Sequence, residues 1–379
     1  MEGNIVVMLS GYMQSGKDTV GDYLCKKYRF TRYAFADILK DEVSKLFDID
    51  RHLLDTQEGK AKIITNSEGE NQCIRNILIE HGQERRRQDI NYWVKLVKQK
   101  ILDDKCTRVV ITDWRFPNEH DELQNVLSNN DYKVYSWRIC RWIEPPLIDI
   151  SELALDTFYF DHVLQNRGTL LSLYSLIDRI IFRTGILPIF LTDIDDVVLR
   201  WIDGFKKYLS FTEYVITDEY PSAWVMKNWI RNKDGSSISD ESMNELILKF
   251  NHSEEFEYLE LYPGIKQLLL KAYNLGYVIV GISSCTDNID ALKRRINNLE
   301  NTIGKNIFHK VICLPLGKGK YEILHQFAPS IWLDDNLTNV LAGNELGHKS
   351  YLVTRPWNKN SNENCVNRIT SWEQLNIFN

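Results

Sequence analysis

The chain has 379 residues, 44% of them apolar and 11% aromatic, which is enough for two hydrophobic cores and long for a single small domain. The formal net charge of −6 lacks the basic excess of a protein that tracks along a nucleic-acid backbone, and small phosphorylated substrates fit it better. No run of eighteen or so apolar residues is present, so no membrane span is expected, and the seven cysteines without a C-x-x-C pair point to reduced thiols in a cytoplasm.

Apolar strand-like runs recur along the chain, most of them followed by a longer helical pattern. They are Ile5–Leu9, Val109–Thr112, Val134–Trp137, Ile189–Thr192, Val278–Ile282, Val311–Leu314, Ile331–Leu333 and Tyr351–Val353. Strands alternating with helices predict an α/β fold with parallel sheets. Ile5–Leu9 follows the first few residues at once, which reads as a buried strand and not as a signal peptide. Two runs, Ile5–Leu9 and Ile189–Thr192, each lead into a phosphate-type motif, and the boundary between two domains, 1–185 and 186–379, is expected near Gly185.

The first motif is Gly11-Tyr12-Met13-Gln14-Ser15-Gly16-Lys17-Asp18-Thr19, a G-x-x-x-x-G-K loop between a strand and a helix. Glycines let the backbone N–H groups wrap phosphates, the helix N-terminus adds its dipole, and Lys17 would reach the β- and γ-phosphates of ATP. Asp18 stands where a Ser or Thr usually follows the lysine, with Thr19 next, which leaves the Mg2+ contact open. The next strand ends in Asp113-Trp114-Arg115, a carboxylate and a guanidinium expected at the mouth of the same cleft.

These blocks resemble the deoxynucleoside monophosphate kinases of large tailed bacteriophages. The resemblance is carried by the loop with its Gly16-Lys17-Asp18-Thr19 ending, by Tyr33 through Lys40, by Ile74-Arg75 through Tyr92-Trp93-Val94-Lys95, and by Asp113 through Glu119. It extends through Ser151-Glu152 to Asp161 and Asn166-Arg167-Gly168, nearly all of residues 1–182. It implies ATP as donor and a nucleoside 5′-monophosphate as acceptor. By position it makes Lys17, Asp113 and Arg115 catalytic, and Gly11, Ser15, Gly16, Asp18 and Thr19 donor-binding. Phe35, Asp37, Lys40, Arg75, Arg86 and Arg87 become acceptor-site residues. Gln83 replaces the family's usual threonine, which leaves open which of Arg85, Arg86 and Arg87 meets the acceptor phosphate. Arg138 and Arg141 sit where a lid would bring positive charge over the γ-phosphate.

The second motif is Asp193-Ile194-Asp195-Asp196 after the strand Ile189–Thr192. Two carboxylates two residues apart at a strand end suit a division of labour, one attacking phosphorus and the other exchanging protons with the leaving oxygen and then water. Three further pieces follow in order: Ser283-Ser284 at the end of a strand, Lys318-Gly319-Lys320 before a short helix, and Asp334-Asp335 at the end of another strand. This ordered set resembles the haloacid dehalogenase superfamily of phosphohydrolases and covers residues 188–355.

The resemblance implies a Rossmann-like fold, an aspartyl-phosphate mechanism and Mg2+. Asp193 is then the nucleophile and Asp195 the acid/base. Ser283, with Ser284 beside it, is the phosphate hydroxyl, and Lys320, preferred over Lys318, the cation. Asp193, Asp195, Asp334 and Asp335 become the metal residues. Asp196 replaces the glycine usual after the second aspartate. The aromatic-rich stretch at about 199–260, with Trp201, Phe205, Tyr208, Tyr214, Tyr220, Trp224 and Trp229, is expected to be a small helical cap.

The favoured reading is a bifunctional enzyme of deoxynucleotide metabolism acting on small-molecule nucleotides, with a homo-oligomer compatible with it. The alternatives are an end-healing polynucleotide kinase-phosphatase acting on nucleic-acid ends, and a nucleotide-binding regulatory module with a degenerate site.

Overall fold

The computed structural model describes residues 4–65, 71–142, 150–221, 226–360 and 366–375. Trp224 and the polar residues 361–364 lie outside them. Among the described residues, no helix is long and apolar enough to cross a membrane. The chain divides into two compact units, Met1–Ile180 and Ile181–Asn379.

The first unit is built on a five-stranded sheet in the order Thr31–Tyr33, Arg108–Ile111, Asn4–Ser10, Tyr132–Cys140, His162–Gln165. Every neighbouring pair is parallel. Parallel neighbours need crossover connections, and helices such as Lys17–Tyr28 and Pro117–Ser128 supply them. The central strand is apolar from Ile5 to Leu9 because both of its faces are covered, and Val6, Val7, Met8 and Leu9 are fully buried. Asp178 pins the helix after the glycine loop by accepting hydrogen bonds from Tyr23 Oη (2.8 Å), Lys27 Nζ (2.7 Å) and Tyr28 Oη (2.6 Å).

The second unit carries a six-stranded, wholly parallel sheet in the order Phe308–Cys313, Val278–Ser283, Ile189–Asp193, Ile331–Asp334, Lys349–Val353, Asn367–Ile369. Ile189–Asp193 and Ile331–Asp334 are adjacent and central, so the two acidic motifs end side by side. The stretch after Leu199 is not wholly helical. It holds the helices Trp201–Leu209 and Asp240–Asn251, but also an antiparallel pair, Tyr214–Ile216 with Ile230–Asn232. The expectation of a helical cap is corrected to a mixed helical and β segment, since Tyr-Val-Ile is a short β-prone run and Ile230–Asn232 pairs with it. Trp201, Phe205, Trp229, Phe250 and Phe256 are buried as the core of this segment.

The helix Leu337–Glu345 lies against the strand that delivers the second acidic motif. A Cβ at Gly343 would come within 2.6 Å of the Trp332 ring and 2.5 Å of Ser350 Oγ. Gly343→Ala is therefore expected to destabilise the second unit by about 1–3 kcal/mol through overpacking, measured by urea unfolding. An unchanged unfolding midpoint would show that Trp332 yields without cost.

Candidate functional site

In the first unit the loop after Ser10 turns on residues with positive φ, namely Gly11 (152°), Gln14 (65°) and Gly16 (106°). Neither glycine has room for a side chain. A Cβ on Gly11 would meet Ile139 O at 2.4 Å, and one on Gly16 would meet Asn166 Nδ2 at 2.7 Å. Ser15 Oγ is buried and has no hydrogen-bond partner among the described residues. Lys17 Nζ folds back onto the loop's own carbonyls, Gly11 O (2.6 Å) and Tyr12 O (2.9 Å). Burial and the nearby Arg115 lower the Lys17 pKa, against the pull of Glu152 and Asp18.

Two acids given no role by the sequence reading organise this loop. Glu152 accepts from the Met13 amide (2.8 Å) and from Arg115 Nη1. Asp156 accepts from Tyr12 Oη (2.7 Å) and from Arg138 Nη2 (2.6 Å). Arg138 is not on a lid, as the sequence suggests. It lies within the strand Tyr132–Cys140, buried, and its Nη1 donates to Ser10 Oγ (2.9 Å). Arg141 follows just beyond that strand, exposed, with Nη1 3.4 Å from Gln14 O.

Asp113 lies past its strand end with both oxygens engaged by backbone amides, Phe35 N (2.9 Å) and Ala36 N (2.8 Å). It thereby serves the N-terminus of the helix Phe35–Phe47. Burial raises its pKa, and the two amides oppose this. Burial likewise lifts Glu119 to about 7, although the Arg115 and Phe116 amides pull it down.

The residues assigned to an acceptor site pair mainly with one another and their neighbours. Asp37 meets Arg32 (2.7 Å) and Lys40 (3.4 Å), and Lys40 reaches Asp55 (3.0 Å). Arg75 donates to Gln57 Oε1 (2.7 Å). Arg86 sits over the Phe116 ring and 3.2 Å from Glu119, whereas Arg87 is exposed on its own helix against Glu84.

In the second unit Lys320, 2% exposed, bridges Asp193 Oδ1 (2.8 Å) and Asp334 Oδ2 (2.9 Å). Oxygens of Asp193, Asp334 and Asp335 all lie within 4.8 Å of one another, and all three residues are buried. Asp335 accepts from Trp357 Nε1 (2.6 Å), and Asp334 Oδ1 from the Asn336 amide (2.7 Å). Burial pushes Asp193 well above the usual carboxylate range, against the pull of Lys320. It raises Asp335 to about 7, with the charge of Asp334 adding to the rise. Burial alone would lower Lys320, but Asp193 and Asp334 raise it.

Three buried carboxylates against one ammonium leave excess negative charge, so the residues present fit a divalent cation with oxygen ligands. Asp195, expected among the metal residues, has its side chain elsewhere. Its Oδ2 accepts from Ser283 Oγ and its Oδ1 from Arg295 Nη2. Ser284 Oγ donates to Lys318 O (2.7 Å), so neither hydroxyl after the strand is idle. Asp196 explains the missing glycine. It adopts φ 56°, a left-handed conformation that Asp tolerates. Its buried carboxylate accepts from Ile202 N (3.1 Å) and Tyr262 Oη (3.2 Å).

A cavity of about 480 Å³ opens above these acids. Asp193, Asp195, Lys320 and Asp335 line one side, and Trp201, Met226, Met243 and Asn244 from the 199–260 segment line another.

No protein-family model matches the chain, and no curated protein sequence matches it. Solved structures similar to it include a dehalogenase, with TM-score 0.33 and 12% identity over 50% of this chain and 95% of that one. Another is CbbY from Rhodobacter sphaeroides in complex with phosphate, with TM-score 0.35 and 12% identity over 48% and 92%. A third is the Pnkp1/Rnl/Hen1 RNA repair complex, with TM-score 0.26 and 12% identity over 93% and 96%.

The acid cluster sets a pH dependence. With a folded value of about 7 against an ordinary 3.8, Asp335 binds its proton more tightly when folded. Its contribution to metal-free stability therefore falls as pH rises through that window. A cation competes with the same proton, so Mg2+ is expected to raise the melting temperature of the second unit more at about pH 8 than at about pH 5.5. Equal Mg2+-induced shifts at the two pH values would refute this.

Proposed function

We propose that the second unit is a Mg2+-dependent phosphomonoester hydrolase working through an aspartyl-phosphate. The carrying observation is Lys320 bridging Asp193 and Asp334, with Asp335 beside them, at the floor of the 480 Å³ cavity. Asp193, Asp334 and Asp335 would hold Mg2+, which supplies positive charge where an anionic nucleophile meets an anionic substrate.

In the first step an Asp193 oxygen forms a bond to phosphorus, the bond to the leaving oxygen breaks, and Asp195 gives that oxygen a proton. In the second step water attacks phosphorus, Asp195 takes a proton from it, and the bond to Asp193 breaks. Lys320 offsets charge on Asp193 throughout, and Ser283 stands beside Asp195 to meet the phosphoryl group. The 199–260 segment closes the cavity over the leaving group. Its Trp201, Met226 and Met243 suit an apolar, planar group such as a nucleobase.

The first unit is read as an ATP-dependent kinase of nucleoside 5′-monophosphates. What supports this is the loop Gly11–Lys17 with its unpartnered Ser15 hydroxyl, and the gathering of Lys17, Arg115 and Arg138. Ser15, Gly16, Lys17, Asp18 and Thr19 would hold the donor phosphates and their Mg2+. In this chemistry the protein contributes position and positive charge. Two such activities on one chain would serve (deoxy)nucleotide metabolism.

Two variants separate the activities. Lys17→Met is expected to reduce transfer of label from ATP to nucleoside monophosphates by about 10²–10³-fold while leaving phosphatase turnover intact. Asp193→Asn is expected to abolish phosphatase turnover while leaving the transfer. The assay offers labelled ATP and Mg2+ with a panel of nucleoside monophosphates and a 5′-hydroxyl oligonucleotide. Label appearing only on the oligonucleotide would replace the metabolic reading with repair of nucleic-acid ends. No transfer to any acceptor would sink the kinase reading.

A further inference from the structure

The helix Ile289–Thr302 carries a side chain that no motif singles out. Arg295 is fully buried, yet only part of its guanidinium is paired. Its Nη2 donates to Asp195 Oδ1, while Nε and Nη1 have no hydrogen-bond partner among the described residues. The flat face of the guanidinium lies 3.8 Å from the centroid of the Phe256 ring. Asp195 is 16% exposed and lines the cavity, and Arg295, at 0%, stands behind it.

A buried cation with unmet donors is a poor stabiliser, since apolar side chains of similar volume often do as well or better. What this arrangement does supply is orientation. Arginine has donors only, so the Asp195 oxygen that faces it is held as an acceptor. The other oxygen, Oδ2, accepts from the Ser283 hydroxyl, and since a hydroxyl, unlike a guanidinium, can turn to accept in its place, Oδ2 is the oxygen left to carry a transferable proton.

We infer that Arg295 is a positioning residue for proton transfer by Asp195, fixing the carboxylate so that Oδ2 carries the proton to and from the reacting oxygen. This rests on the phosphatase reading above. The same helix also grips the segment that roofs the cavity. Asn298 Nδ2 donates to Leu259 O (3.0 Å), Arg294 Nη1 donates to His252 O, and Phe256 backs the guanidinium itself. Seating of that segment and orientation of Asp195 are thus mechanically linked through one helix.

The test is the leaving-group dependence of kcat/KM, measured with Mg2+ on 4-nitrophenyl phosphate, whose leaving group needs little protonation, and on phenyl phosphate, whose leaving group needs more. Arg295→Met should lower kcat/KM on phenyl phosphate by about 10²-fold and on 4-nitrophenyl phosphate by less than about tenfold. The same change in an Asp195→Asn background should add little, because the group it orients is gone. Arg295→Lys, which keeps the charge but not the planar fork, should show the same substrate bias to a smaller extent.

Retained turnover of 4-nitrophenyl phosphate certifies that a variant is folded. Arg295→Lys supplies the measurement if Arg295→Met does not fold. Equal losses on both substrates, or full additivity with Asp195→Asn, would overturn the positioning role while leaving the phosphatase reading in place. Wild-type protein that hydrolyses neither substrate would overturn that reading itself, and the inference with it.

Discussion

The second unit depends on how one ammonium group is shared among buried carboxylates. Parallel strands deliver their C-terminal ends to one edge of a sheet, so acids placed at the ends of adjacent strands converge. Asp193 ends one central strand and Asp334 the next, with Asp335 following. Left alone, these charges would be expensive to bury. Lys320 enters from the start of a short helix, Tyr321–Leu324, and takes one oxygen from each of two acids. The surplus negative charge is what makes the cluster receptive to a divalent cation; burial first, and the neighbouring acids second, raise the pKa values of Asp193 and Asp335.

The turn between Asp193 and the roof of the cavity follows from the same constraint. The Asp195 carboxylate stands apart from the acid cluster, bonded to Ser283 and Arg295. Asp196 must then reverse the chain, which it does at positive φ while its carboxylate ties down Ile202 N and Tyr262 Oη. Arg355 Nε closes this turn from behind on Asp196 O (2.5 Å). The three aspartates of this turn therefore meet three separate sets of partners: Lys320 for Asp193, Ser283 and Arg295 for Asp195, and Ile202 N with Tyr262 Oη for Asp196.

Much of this was legible in the sequence because it is local. A strand, a loop and the first residue of a helix are contiguous, so Gly11 through Lys17 and Asp193 through Asp195 could be read directly. The long apolar strands were legible for a related reason, being buried on both faces. The short edge strands Thr31–Tyr33, His162–Gln165 and Asn367–Ile369 were not, since three or four residues with polar members carry no period. The contacts of Glu152, Asp156 and Arg295 were also hidden. Each acts on a residue elsewhere in the chain, and a single acid or arginine carries no pattern that names its partner. The pairing of Asp113 with the Phe35 and Ala36 amides is hidden for the same reason.

The first unit shows the inverse electrostatic problem, and it bears on how a phosphate would be held. Here the converging groups are cations, and each is already satisfied by protein oxygen. Lys17 rests on two loop carbonyls, Arg115 on Glu152, and Arg138 on Asp156 and Ser10. A polyphosphate entering this loop would therefore exchange partners, and its net gain would be a difference between two sets of charge-assisted bonds. Lys17 can give up two neutral carbonyls at small cost. Arg138, buried between Ser10 and Asp156, would give up a charge-assisted bond to a carboxylate that Tyr12 Oη also serves. That asymmetry sets Lys17, held by neutral carbonyls alone, apart from Arg138, which belongs to the frame of the loop on a strand and not on a lid.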